Sequence, residues 1–224
     1  MAYCTNPYVI AAIVGNFYQE STVNPGIWEG LTWGNPGYGL GQWTDNPPVV
    51  LRRTALFNWL SEHNYPIDSG QGQLEFLIAE NIWLPNNPNF PTSAYNTLTD
   101  YLHSTSTDLS ALVKEFMWHW EGIDDGSYSN RYNWANSMLP IFMSGLTQRE
   151  AWTSGNFYCN TTQATWNSLL VYDFFMGNPE PPEPPEPPEP PEPPEPPTDD
   201  EILAMVRTYL KRKNAKGGII INVF

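Results

Sequence analysis

The sequence predicts a mostly helical α+β domain with a small β-hairpin insert, then a polyproline spacer and a short C-terminal helix. Three observations carry this expectation. Apolar residues recur at helical spacing in successive segments between Asn6 and Phe142. Residues 24–45 break that pattern with Gly, Pro, Asn and Trp, which favour turns over helices or long strands. Pro179 to Pro197 is a Pro-Glu repeat with proline at two of every three positions, so neither helix nor sheet forms there.

The first helix runs from Asn6 or Pro7 towards Glu20. Asn6 caps it, and Pro7 takes a first position whose N–H would have no partner anyway. Val9, Ile10, Ile13, Val14 and Phe17 mark one buried face, and Asn24-Pro25-Gly26 stops the helix. The stretch 24–45 reads as a short irregular hairpin or a pair of loops. Arg52 to His63 is a second helix, with Leu56, Trp59 and Leu60 inward. Gly72 to Ile82 is a third and Ser93 to His103 a shorter fourth. Asp108 to Glu121 is a fifth, capped by Thr107 or Asp108, with Leu109, Leu112, Val113, Phe116 and Trp120 as its stripe. Ser129 to Phe142 is the sixth, and the domain, residues 1–145, closes around Gly145.

Residues 146–178 form an aromatic-rich extension packed on or beside that domain. Asn156, Asn160, Thr161 and Thr162 mark turns. The apolar run Gln163 to Met176 either finishes the core or builds a small accessory layer, and periodicity does not decide. The linker 179–197 is polyproline II stiffened by like charges, reaching roughly 60 Å at ~3.1 Å per residue. Thr198 to Asn214 is a seventh helix, with acids in its first turn and Lys211, Arg212 and Lys213 in its last, as the helix dipole prefers. The segment 198–224 is too small to bury itself and is expected to dock on something.

Net charge is −14, distributed as −10 over residues 1–178, −6 over the linker and +2 over residues 198–224. So acidic a body repels nucleic-acid backbones, which excludes nucleic acid as a partner. Ten Trp and twelve Tyr exceed what packing alone asks for, and flat rings suit the faces of sugars. Cys4 and Cys159 are no disulfide framework and read first as free thiols, with a disulfide closing a long loop left open. His63, His103 and His119 lack metal-ligand spacing, and nothing calls for a metal or organic cofactor. The apolar stretch Tyr8 to Phe17 lacks a basic n-region and a cleavage site, so no signal peptide is expected.

Chemistry concentrates between Gly15 and Arg53. Cleaving a glycosidic bond needs a carboxylic acid that can protonate the leaving oxygen. Glu20 sits at a helix C-terminus with Phe17, Trp28, Trp33 and Trp43 close in sequence. Burial beside aromatics and the negative helix end both favour the protonated form. The bland alternative is an exposed Glu at a helix end. Facing it in sequence is the turn Tyr38-Gly39-Leu40-Gly41-Gln42-Trp43. Gly39 and Gly41 allow backbone to approach a ligand, Gln42 offers donor and acceptor, and Trp43, Tyr38 and Trp28 offer ring faces. The bland alternative there is a plain turn with a core Trp.

The run Gln19-Glu20-Ser21, Asn24-Pro25, Gly39-Leu40-Gly41-Gln42-Trp43-Thr44 and Arg53 resembles the phage tail lysozyme family. That family is similar to the goose-type and lytic-transglycosylase branch of the lysozyme superfamily. Gln73-Leu74, Phe76-Leu77 and Glu80 resemble its third block; Phe116, Trp120-Glu121, Arg131 and Ala135 resemble its last. The resemblance covers roughly residues 6–142 and implies a lysozyme-like fold with Glu20 as catalytic acid. It also implies a sugar cleft lined by the Gly39–Thr44 turn, and the glycan strand of peptidoglycan as substrate. A bacteriophage tail or lysis enzyme is the implied setting, in the virion or at the host wall, with residues 198–224 free to engage tail proteins.

In hen-type lysozymes an Asp precedes the equivalent of Tyr38-Gly39, whereas this chain has Pro36-Gly37 there. The candidates for a second carboxylate are Asp45, which follows the turn, then Glu29 and Glu121. Asp45 is placed to hold a water for inversion. Glu121 with Arg131 reads as a structural ion pair. Without a second carboxylate, lytic transglycosylation through Glu20 alone stays open. Two other classes compete: a non-catalytic wall-binding module on the same scaffold, and a structural tail component.

Overall fold

The computed structural model describes residues 2–48, 50–145 and 151–177, which fall in one compact unit. The linker 179–197 and the C-terminal helix expected from residue 198 onward lie outside the described residues. Helix α1 (Pro7–Ser21) is the axis of the fold, with α5 (Leu109–Phe116), α6 (Tyr128–Met143) and α7 (Thr161–Met176) packed against it. The Asn6 side chain accepts from Tyr8 N and donates to the carbonyls of Ser104 and Ser106, so the cap also anchors a distant loop. The spacing of Val9 to Phe17 predicts one buried face, but every residue from Val9 to Phe17 is buried. Ala11, Ala12, Gly15 and Asn16 occupy the remaining sides, and their small size lets other helices close in.

The insert contains three short strands in the order β1-β2-β3: β1 (Gly37–Tyr38), β2 (Trp43–Asn46) and β3 (Val50–Leu51). All pair antiparallel, with Tyr38 opposite Trp43 and Asp45 opposite Leu51. Helix α2 (Arg52–Glu62) follows directly, burying Leu56 and Leu60 while Trp59 stays half-buried. Helix α3 (Gly70–Glu80) begins on the Ser69 cap, two residues before the expected start.

Helix α4 is only Leu98–Leu102, starting later than the predicted Ser93. Ser93 is drawn away: its hydroxyl donates to Glu115 and accepts from the Trp83 indole, while Thr97 takes over as cap. Helix α5 begins on Asp108 as expected, but Met117–Glu121 continues it as a π-turn ended by Gly122. The apolar run left open by periodicity is α7, capped by a reciprocal Asn160–Gln163 box. Its Val171 and Phe175 are fully buried in the shared core. Cys4 and Cys159 are buried free thiols, and burial pushes Cys4 up to about 11.

Trp43 is fully buried, edge-on to Phe76 and Trp120, with its indole N–H on Glu80. Replacing it with Ala should therefore cost about 3–5 kcal/mol in denaturant unfolding. A ring whose task was only to stack on ligand would leave the unfolding midpoint in place.

Candidate active site

Helix α1 stops where its final turn meets the insert. Thr22 adopts a left-handed conformation and returns its N–H to the Phe17 and Tyr18 carbonyls. Ser21 Oγ bonds the carbonyls of Phe17 and Leu40, tying the helix end to the turn 39–42. That geometry leaves the Glu20 side chain, 21% exposed, at one side of a cleft of about 700 Å³. Trp28, Glu29 and Gly30 line it from the insert, and Gly41, Gln42, Thr44 and Asn46 from the turn and β2. Glu121, Gly122 and Ile123 contribute from the π-turn, and Tyr158 from the segment before α7.

Beneath Glu20 lies the buried guanidinium of Arg131, on α6. Its Nη2 donates to Glu20 Oε1 at 2.5 Å, and its Nη1 to Glu121 Oε2 at 2.5 Å and Asn16 Oδ1 at 3.0 Å. Its Nε donates to Ser127 Oγ, and Asp125 lies 3.8 Å away. The expected Glu121–Arg131 pair thus exists, but it is part of the cleft and includes Glu20. The π-turn makes this possible: one extra residue per turn rotates Glu121 inward beside the end of α1. Burial raises the Glu121 carboxyl well above its ordinary value, the Glu20 charge adds to this, and Arg131 only partly opposes it. Glu121 Oε1 is buried with no donor among the described residues, which favours the protonated form of this carboxyl.

Several predicted site residues lie elsewhere. Asp45 is buried outside the cleft lining, accepting from Arg53 Nη2 at 2.9 Å and from Thr54 N and Oγ1. Burial alone would raise its carboxyl, but the Thr54 and Arg53 contacts outweigh that and hold it below its usual range. With three protein donors, Asp45 fastens β2 to the start of α2, away from the cleft lining. Trp43 offers no face to the cleft because it is core. Tyr38 is also buried, edge-on to Trp28 and Phe57.

Packing requires both turn glycines, Gly39 and Gly41, and Gly41 also lines the cleft. A Cβ on Gly41 would lie 2.4 Å from the Trp120 ring, and one on Gly39 (φ +78°) 2.4 Å from Gln73 Oε1. Gln42 does line the cleft, though its amide N–H groups are spent on the Gly39 and Ile27 carbonyls. Trp28 lines it too. Glu29 is exposed there, with Oε2 accepting from Gly37 N at 3.0 Å and no bond to Oε1 among the described residues.

Sequence reasoning missed three contributors. Gln73 is fully buried and clamps the turn, accepting from Leu40 N and donating to the Pro25 and Ile67 carbonyls. Arg52 lines the cleft with its guanidinium on Glu80 and 4.6 Å from the Trp120 ring. Tyr158 comes from a segment whose turn signals said nothing of where it would land. No cluster of metal-ligating side chains occurs among the described residues.

A model of the phage tail lysozyme family matches residues 5–142. The chain belongs to that family. Morphogenesis protein 1 of Bacillus phage B103 is 32% identical over 100 residues, which cover 44% of this chain and 25% of that protein. The phage tail lysozyme match ends within α6, before the segment that carries Tyr158 and α7.

Removing Arg131 leaves two carboxylates facing each other without their cation. Arg131→Ala should cost about 3–5 kcal/mol of folding stability. The raised Glu121 carboxyl means that the folded state holds a proton the unfolded chain releases. Its stabilising contribution is complete below the ordinary carboxyl value of 4.5 and is lost as pH rises through the raised value. Thermal unfolding against pH should show that decline in wild type and a flatter profile in Glu121→Gln.

Proposed function

We propose that this protein cleaves the glycan strand of peptidoglycan, with Glu20 as general acid. The observation that carries the reading is the placement of Glu20 in an open cleft against the buried Arg131–Glu121 pair. A phage tail lysozyme-like chain with that arrangement has the parts for acid-catalysed glycosidic cleavage. Glu20 and Glu121 accept from the same guanidinium, that of Arg131. Glu20 protonates the leaving glycosidic oxygen as its bond to the anomeric carbon breaks. Water bonds to that carbon and gives its proton to Glu29, the exposed carboxylate on the insert wall.

Trp28, Gly41 and Gln42 are the substrate-binding residues this reading retains from the sequence. Residues 1–145 are the catalytic domain, 146–178 an extension, 179–197 a spacer and 198–224 a docking segment for phage tail proteins. Action from the virion, on the host wall, follows from the family and from that layout. Deleting residues 179–224 should spare activity on isolated wall while reducing incorporation into particles.

Mass spectrometry of purified peptidoglycan digested by wild type and by Glu20→Gln tests the chemistry. Reducing-end muropeptides are expected from wild type, with turnover lower by at least about 100-fold in Glu20→Gln at unchanged fold. Anhydro-muropeptides would instead show attack by the substrate's own hydroxyl and leave Glu29 without its role. Equal wall clearing by both proteins would overturn the assignment of Glu20.

A further inference from the structure

We infer that Tyr158, outside the family-matched residues, is a substrate-binding residue of the cleft and stacks on a pyranose face of the glycan. The inference rests on the cleft being a glycan site, as proposed above. Tyr158 lines the cleft together with Glu20 and Trp28, and it is 58% exposed. Its hydroxyl bonds no side chain or backbone group among the described residues.

An exposed aromatic is ordinary by itself, but the backbone around this one is pinned from both sides. Asn24 Nδ2 donates to the Gly155 and Phe157 carbonyls at 2.8 and 2.5 Å. Asn156 accepts from Trp28 N at 3.1 Å and donates to the Leu31 carbonyl at 2.6 Å. Cys159 N donates to Thr22 Oγ1 at 2.7 Å, two residues beyond Glu20. The three ties run to the end of the helix that carries Glu20 and to the insert that carries Trp28 and Glu29. Tyr158 is therefore held in register with both walls of the cleft.

Pinning matters because it removes the ordering cost of binding. A Tyr ring on a fixed backbone has two side-chain torsions to settle, so its contact area comes at little entropic loss. Its apolar face suits the C–H face of a sugar, and its free hydroxyl suits the polar rim. The interaction acts on ground state and transition state alike, so it should appear in KM rather than kcat.

The test uses soluble glycan strands stripped of their stem peptides. Binding to the full chain carrying Glu20→Gln is measured by calorimetry, with and without Tyr158→Ala or Tyr158→Phe. Tyr158→Ala should weaken binding at least about fivefold, while Tyr158→Phe stays within about twofold because the ring remains. In the active enzyme, Tyr158→Ala should raise KM similarly and leave kcat nearly unchanged. Equal affinity with and without Tyr158→Ala, while the parent binds and wild type cleaves, would overturn the role of Tyr158 alone. Failure of wild type to cleave and of the Glu20→Gln protein to bind would sink the reading of the cleft, and this inference with it.

Discussion

One buried guanidinium joins the cleft of this molecule to its core. Arg131 is wholly enclosed, yet four of its N–H groups meet oxygen atoms on α1, α6 and the π-turn. Taking a cation out of water costs several kcal/mol, and only close, well-directed partners offset it. Those partners are Asn16 and Glu20, one helical turn apart on α1, Glu121 at the end of the π-turn, and Ser127 at the start of α6. The exposed acid of the cleft and the core of the domain are thus joined through a single side chain. A planar fork reaching several elements is something Arg can do and Lys cannot.

The same constraint explains what was legible beforehand. Helix α1 declared itself through its cap, its proline and its apolar spacing, because those signals are local. The place of Glu20 at the end of that helix was legible because the helix had to stop before Asn24-Pro25-Gly26. Asp45 was misplaced because adjacency to the turn says nothing about which way a strand residue points. In β2, Trp43 and Asp45 are buried while Thr44 and Asn46 are exposed, and only the latter two line the cleft. Strand alternation decides this, and a strand of four residues between a turn and prolines offers too few positions to read it. The π-turn was equally invisible, since Trp120 and Glu121 fit the helical repeat of α5 until one extra residue is inserted.

Trp-rich composition divided in a similar way. Trp43 and Trp120 form a buried edge-to-face pair, with Phe17 and Phe116 against Trp120. Glu80 ties this cluster to the cleft by accepting from the Trp43 indole and from Arg52. Aromatics that looked like ligand faces are therefore the wall behind the cleft. Trp28 is the exception: it is buried at 7% exposure and packs on Tyr38 and Phe57, yet it also contributes to the cleft lining. Core and surface roles cannot be told apart by residue type when the insert is too short to have separate layers.

The segment before α7 adds a further step to this logic. Its three clamps use side chains of Thr22, Asn24 and Asn156, and they engage backbone groups of Gly155, Phe157 and Cys159 in the segment and of Trp28 and Leu31 in the insert. Backbone outside strand ladders has no built-in partners for its amides and carbonyls, and side chains supply them here. Asn24 and Asn156 satisfy four of these groups with two side chains, which locks the extension to both halves of the cleft at once. The insert, with three strands of at most four residues, has little stability of its own. Its position depends on Arg53 below, through the Asn35 carbonyl and Asp45, and on Asn156 at the side, through Trp28 and Leu31. A cleft wall built from such a segment keeps its geometry because the extension braces it, so residues 151–160 shape the site even where they do not touch its contents.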